Sequence, residues 1–256
     1  MTAYDFQEAD TATWIAVLPV AAIEQHGPHL PVYTDACIAE GQVRRVIELA
    51  PDEIPVTFLP VQAVAKSNEH IASPGTLTLD WDTVTRAWLD IGDSVARAGI
   101  RKLVIVTSHG GNVPIMDIVA RELRIRHGML AVATGWARFG QPEGVFPAEE
   151  FVYGIHGGDV ETSIMLHLRP DLVRMDKAAD FRSTQHRMIA EMAQLRVHGP
   201  VQFGWVAQDL NPAGAAGNAA AATAEKGRLS LDHAARGFVD LLGDVHRFDM
   251  GALAKI

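Results

Sequence analysis

Between Ile23 and Asp35 the chain reads IEQHGPHLPVYTD, placing Glu24, His26, His29 and Asp35 within a dozen residues that Gly27, Pro28 and Pro31 keep out of a helix. In an extended chain, Glu24 and His26 project to the same side, roughly 7 Å apart along the backbone. That separation suits two side chains closing on one metal ion, or one on each of two neighbours. Two prolines stiffen the course of the segment, which is useful where ligands must be held in place. Two more segments carry similar side chains: SHGGN with His109, and HGGDVETS with His156, Asp159 and Glu161. Carboxylate and imidazole ligands without sulfur suit Zn²⁺, Mn²⁺ or Fe²⁺. A carboxylate such as Asp35 can bridge two ions. A centre of this kind generates hydroxide near neutral pH and polarises a carbonyl oxygen. A leaving nitrogen then needs a proton, which a histidine off the metal can give, and His156 is available for that role.

Each residue also has an ordinary reading. Asp35 reads equally as the N-cap of the helix that follows it, and Asp159 reads better as an N-cap than as a ligand. Glu161 would be favoured by a helix dipole alone. His29 has the opposite parity to His26, which favours a supporting role. His109 reads also as a satisfied strand-end histidine, and His156 as a loop residue. Their joint occurrence is what argues for a site.

The elements that must position these residues alternate in type. WIAVLPV (14–20) reads as a buried strand feeding the first motif. ACIAEGQVRRVIELA (36–50) has helical spacing and ends at Pro51, and IPVTFLPVQAV reads as one or two strands. Asp80 looks like the N-cap of a helix presenting Val84, Trp88, Ile91 and Val95 on one face and ending at Gly99. KLVIVT is a nearly continuous β-branched run, as expected of a parallel strand covered on both faces. Asn112 and Pro114 open a helix that closes at Gly128, and MLAVAT is a further strand. VETSIMLHL, TQHRMIAEMAQLRV and LDHAARGFVDLLGDVHRF read as helices, with the glycine- and alanine-rich 210–227 stretch as loop and helix start. The alternation predicts one α/β layered domain over residues 1–256 with a mostly parallel central sheet. Ligands of such sheets collect beyond the carboxyl ends of the strands, where these motifs fall.

Composition bounds the function. The chain has 256 residues, 48% of them hydrophobic, enough for a sizeable core. With 22 basic against 31 acidic residues the charge is −9, and no dense Lys/Arg cluster exists to track nucleic acid. No apolar run approaches the ~20 residues of a membrane span. The N-terminus MTAYDFQEAD is too polar for a signal peptide. One cysteine, Cys37, excludes an internal disulfide and a thiolate-rich metal site, and reads as a small apolar helix residue. A cytoplasmic globular protein is expected. No G-x-G-x-x-G follows a strand, which removes a dinucleotide-binding reading.

In order, EQHGPHLPVYTD, EHIASPGT, SHGGN, HGGDVETS and ATAEKG closely resemble the creatininase (creatinine amidohydrolase) family, from about Leu18 to Gly227. The resemblance implies a three-layer α/β sandwich and a centre of two divalent ions per chain (zinc, manganese or iron). It further implies hydrolysis of an amide carbon–nitrogen bond in a small molecule and a homo-oligomer, often a hexamer. Residue by residue, it implies Glu24, His26, Asp35 and His109 as metal ligands with Asp35 as the bridge, Glu161 as an acidic residue beside the metals, and His156 as the proton carrier. The resemblance also sets His70, in EHIASPGT, facing the same pocket. True creatininases carry a tyrosine and a metal-binding glutamate directly after the histidine matching His109, where this chain has Gly110 and Gly111. They also have a tryptophan where Val152 stands. These departures count against creatinine and make Glu161 the best replacement for the missing ligand. The glycine version resembles other branches, among them formamide hydrolases and a peptidase trimming a redox-cofactor precursor. Peptidase action on a short peptide, or a non-catalytic metal-binding relative, are the alternatives.

Overall fold

The computed structural model describes residues 2–255. In chain order its elements are α1 (Ala3–Glu8), β1 (Ile15–Val20), α2 (Thr34–Leu49), β2 (Val56–Phe58), α3 (Trp81–Arg97), β3 (Lys102–Thr107), α4 (Val113–His127), β4 (Leu130–Gly135), α5 (Ala148–Tyr153), α6 (Asp159–Leu168), β5 (Asp180–Phe181), α7 (Gln185–Glu191), α8 (Ala207–Leu210), β6 (Gly217–Asn218) and α9 (Ala224–Arg247).

The apolar runs become a four-stranded sheet of order β2-β1-β3-β4. All its pairings are parallel, with Ile15 beside Lys102 and Lys102 beside Leu130 at the strand starts. Every residue of β1 and β3 is buried, as required of strands covered on both faces. Alternate side chains serve different layers. Ala16, Leu18, Leu103 and Ile105 pack against Val84, Trp88 and Val95 of α3 and Met116, Val119 and Leu123 of α4. Ile15, Val17, Val104 and Val106 face Val46 of α2 and Phe238, Leu242 and Val245 of α9. The result is a three-layer α/β sandwich. The α3 stripe lies where its spacing puts it, with Ile91 at its partly buried margin.

The 184–197 segment departs from the expected long helix. The helix runs only from Gln185 to Glu191, and Met192 already has extended angles. The Gln185 side chain instead accepts the Val197 N–H (2.9 Å), and Gly199, with φ +112°, turns the chain. Met188, Val197 and Leu210 pack together in a small core of their own.

Asp159 is not an N-cap. Gly158 occupies that position, and Asp159 is fully buried one residue later, accepting from Ser163 Oγ (3.0 Å) and Lys226 Nζ. This ion pair ties α6 to α9 where Gly227 lets them touch: a Cβ there would lie 1.9 Å from the Ser163 carbonyl oxygen. Replacing Lys226 by methionine leaves a buried unpaired carboxylate and is expected to cost about 3–5 kcal/mol. Urea unfolding of the metal-stripped protein measures it; a change below about 1 kcal/mol contradicts the assignment.

Candidate metal centre

Two strand ends and one helix start meet at one edge of the sheet. β1 runs straight into Ala21–His26, and Gly27, at φ +73°, reverses the chain so that His26 pairs with Leu30. β3 delivers His109. The third segment is anchored by backbone pairing of His156 with Ala216, which sets His156 and the first turn of α6 beside the other two.

Asp35 is the second residue of α2, not its cap: Tyr33 stands at the N-cap, and the carboxylate points inward. One oxygen, Oδ1, lies 3.6 Å from His26 Nε2, and the other, Oδ2, lies 3.6 Å from His109 Nδ1. Glu24 Oε2 is 3.1 Å from His109 Nδ1, and its Oε1 is 3.9 Å from His26 Nε2. Glu161 Oε2 is also 3.9 Å from His26 Nε2, and accepts the Gly157 N–H at 2.6 Å. Glu24, His26, Asp35 and His109 are almost wholly buried.

Each imidazole is oriented by a carbonyl. His26 Nδ1–H donates to its neighbour Glu24's carbonyl (3.0 Å), and His109 Nε2–H to that of Lys66 (3.0 Å). The other ring nitrogens, His26 Nε2 and His109 Nδ1, therefore face the carboxylates. Glu24 Oε1, His26 Nε2 and Asp35 Oδ2 are buried without a hydrogen-bond partner. Such atoms are costly unless something positive meets them. Glu24, Asp35 and His109 offer ligand atoms close enough to share one ion, as do His26, His156 and Glu161. The residues fit a divalent cation.

Charge is concentrated to match. Burial pushes the Asp35 carboxyl up, repulsion from Glu24 adds to it, and His26 and His109 offset only part, leaving it at about 7. Burial works against a charged His26, but Asp35, Glu161 and Glu24 outweigh it and hold the imidazolium up to about 10. Burial also opposes ionisation of Glu24, yet the charge and hydrogen bond of His109 above all keep it well below the usual carboxylate range. His156 is driven the other way: burial, then His26 and His70, push it well below an ordinary histidine. It is neutral, with Nε2–H donated to the Gln25 carbonyl (2.6 Å) and Nδ1 3.6 Å from Glu24 Oε1.

The structure thus brings together every residue singled out for the metals, and packs His156 between His26 and His70 at ring separations of 4.0 and 4.3 Å. His70 is drawn in as well, Nε2 lying 3.4 Å from Glu24 Oε1, and could share an ion with Glu24 and His156. His29 faces away, with Nε2 at 3.0 Å from both the Gly157 carbonyl and Thr162 Oγ1. Three neighbours escaped sequence reasoning. Ser67 Oγ donates to Glu24 Oε2 (2.6 Å), and Glu69 flanks His109 (3.3 Å). The Gln25 amide donates to His70 Nδ1 (2.8 Å) and the Gly214 carbonyl (2.7 Å). Their only signal is adjacency to Glu24, His26 and His70; their partners are distant in sequence.

The cluster floors a cavity of about 570 Å³ whose outer wall is Ile155, Val197, Phe203 and Trp205. A second cavity of about 220 Å³ adjoins it through Ser108, His109, Gly110 and Glu161. The second is mostly apolar but carries unpartnered polar atoms on Gln42, Trp136, Gln141 and Ser230.

A family model described as creatininase, creatinine amidohydrolase, matches residues 1–242. The chain belongs to the creatininase family. A mycofactocin precursor peptide peptidase from Mycobacterium ulcerans (strain Agy99) is 31% identical over 223 residues, 85% of this chain and 80% of that protein. A creatinine amidohydrolase from Pseudomonas putida is 30% identical over 246 residues, 89% and 88% of the two chains. A creatininase crystal structure superposes with a TM-score of 0.76 at 27% identity, covering 97% of each chain. Similar creatininase structures include a manganese form and a zinc–zinc form. Family membership makes this chain a metal-dependent hydrolase. Among the described residues, no helix is long and apolar enough to cross a membrane.

Proposed function

We propose that this protein hydrolyses an amide carbon–nitrogen bond of a small molecule, cyclic amide or formamide, at a centre of two divalent ions. Glu24, Asp35 and His109 would hold one ion; His26, Asp35 and Glu161 would hold the other. The observation that carries the reading is the placement of Asp35, whose two oxygens face two different histidines across a pocket of unpartnered buried atoms. Bound zinc, manganese or iron supplies an acidified water and polarises the substrate carbonyl. The chain's own residues do the rest. Asp35 and Glu24 gather positive charge where it is needed, and Ile155, Val197, Phe203 and Trp205 give the cavity an apolar side for the substrate. His156, neutral and lining the cavity, takes up a proton before it gives one, so it carries a proton from the attacking water to the departing nitrogen.

A second reading is hydrolysis of a short peptide. The 31% identity to a peptide peptidase favours it, as does a cavity of about 570 Å³, roomy for a small ring alone. Elemental mass spectrometry of the purified protein is expected to find close to two transition-metal ions per chain. The loaded protein is then offered cyclic amides, formamides and short peptides, with release of the amine followed. Failure to take up zinc, manganese or iron sinks the mechanism; turnover of peptides alone selects the second reading.

A further inference from the structure

We propose that Glu69 is a positioning residue of the centre, its carboxylate fixing His109 so that Nδ1 is presented to the ion held with Glu24 and Asp35. The inference rests on the reading of those three residues as a metal-holding set. Glu69 belongs to the short turn Asn68–His70, on a different loop from the strand end that delivers His109. Its Oε1 lies 3.3 Å from His109 Nε2. Its other oxygen, Oε2, accepts from Lys66 Nζ at 2.6 Å, while the Lys66 carbonyl accepts the same His109 N–H at 3.0 Å. One short stretch, Lys66–Glu69, thus grips the outer edge of the ring with a carbonyl and a carboxylate.

The grip has a sequence requirement on the far side. A Cβ at position 111 would stand 2.1 Å from Glu69 Oε1 and 2.4 Å from His109 Nε2. Gly111 is therefore the vacancy into which the carboxylate is lodged. The glycine and Glu69 form one device: without the glycine, neither the carboxylate nor the ring can keep its place. Glu69 does not act as a ligand here. Both of its oxygens are engaged, and the imidazole ring stands between it and Glu24 and Asp35.

Carboxylates that accept the outer N–H of a metal-bound imidazole fix its tautomer and raise its basicity, and their loss typically weakens metal binding 10–100-fold. The test is zinc affinity by competition with a chromophoric chelator, on metal-stripped parent, Glu69→Ala, Glu69→Gln and Gly111→Ala proteins. Glu69→Ala is expected to weaken one zinc site about 10–100-fold without changing the number of sites. Gly111→Ala, which displaces both the carboxylate and the edge of the His109 ring, is expected to weaken that site at least as much. Glu69→Gln, whose amide oxygen can still lie against the outer edge of the His109 ring, recovers most of the loss, a rescue that general loosening of the loop would not show. An affinity within twofold of the parent in both Glu69→Ala and Gly111→Ala overturns the proposal. Complete loss of one site in Glu69→Ala and Glu69→Gln alike overturns it too, since Glu69 would then be a ligand. A parent that binds no zinc removes the metal reading itself, and this inference with it.

Discussion

Replacing Asp35 by asparagine is expected to make the metal-free protein more stable at pH 8 while lowering hydrolysis at least about 10³-fold, or roughly 4 kcal/mol of barrier. Both effects come from one carboxylate. Burial and the Glu24 charge raise Asp35 to about 7 in the folded, metal-free chain, whereas an unfolded aspartate titrates near ~3.9. Between those values the folded state holds the proton that the unfolded state releases. Stability of the metal-free protein therefore falls as pH rises from about 4 to about 7, and stays lowered above. Asparagine never ionises and escapes that loss. Thermal melts of stripped parent and variant should nearly coincide below pH 4 and separate at pH 8. For a chain of this size the separation is roughly 2–4 °C for each kcal/mol relieved. The same substitution removes the oxygen pair between His26 and His109, so metal content falls with activity. An Asp35→Asn protein that is less stable at pH 8, or that keeps its metal and its turnover, contradicts the bridge.

His156→Gln is expected to keep both ions and lose about 10²–10⁴-fold in kcat, the usual range for one acid–base group. Glutamine preserves a donor toward the Gln25 carbonyl and the filling between His26 and His70, but it cannot carry a proton. The alternative is visible in the geometry, because His156 also stands within ligand range of Glu24 and of Glu161. Metal analysis separates the two: loss of an ion from His156→Gln makes it a ligand, whereas retained metal with lost turnover makes it the proton carrier. A variant with parental kcat sinks both roles.

Much of the architecture was legible because it follows from periodicity. Short continuous apolar runs rich in β-branched residues read as strands covered twice, and β1 and β3 are such strands. The stripe of Val84, Trp88 and Val95 likewise named its buried face. What misled was local signal outweighed by distant contacts. Residues 184–197 have helical spacing, yet a side chain from Gln185 and a turn at Gly199 end the helix early. Asp159 has the look of a cap, yet Lys226, 67 residues on, claims its carboxylate. Asp35 was ambiguous for the same reason, since capping and metal binding want the same residue type at the same helix end.

The site divides along that line. Residue type, spacing and the resemblance they carry determined that Glu24, His26, Asp35, His109 and Glu161 belong together, because their joint occurrence at strand and helix ends argues for a site where each alone has an ordinary use. Only the tertiary structure decided which oxygen faces which histidine, that His156 is neutral, and that Glu69 and Ser67 support the cluster. Tautomer, proton position and orientation depend on partners that the chain brings within 4 Å from more than 130 residues away. A linear sequence records those residues but not their distances, and it is the distances that set the charges.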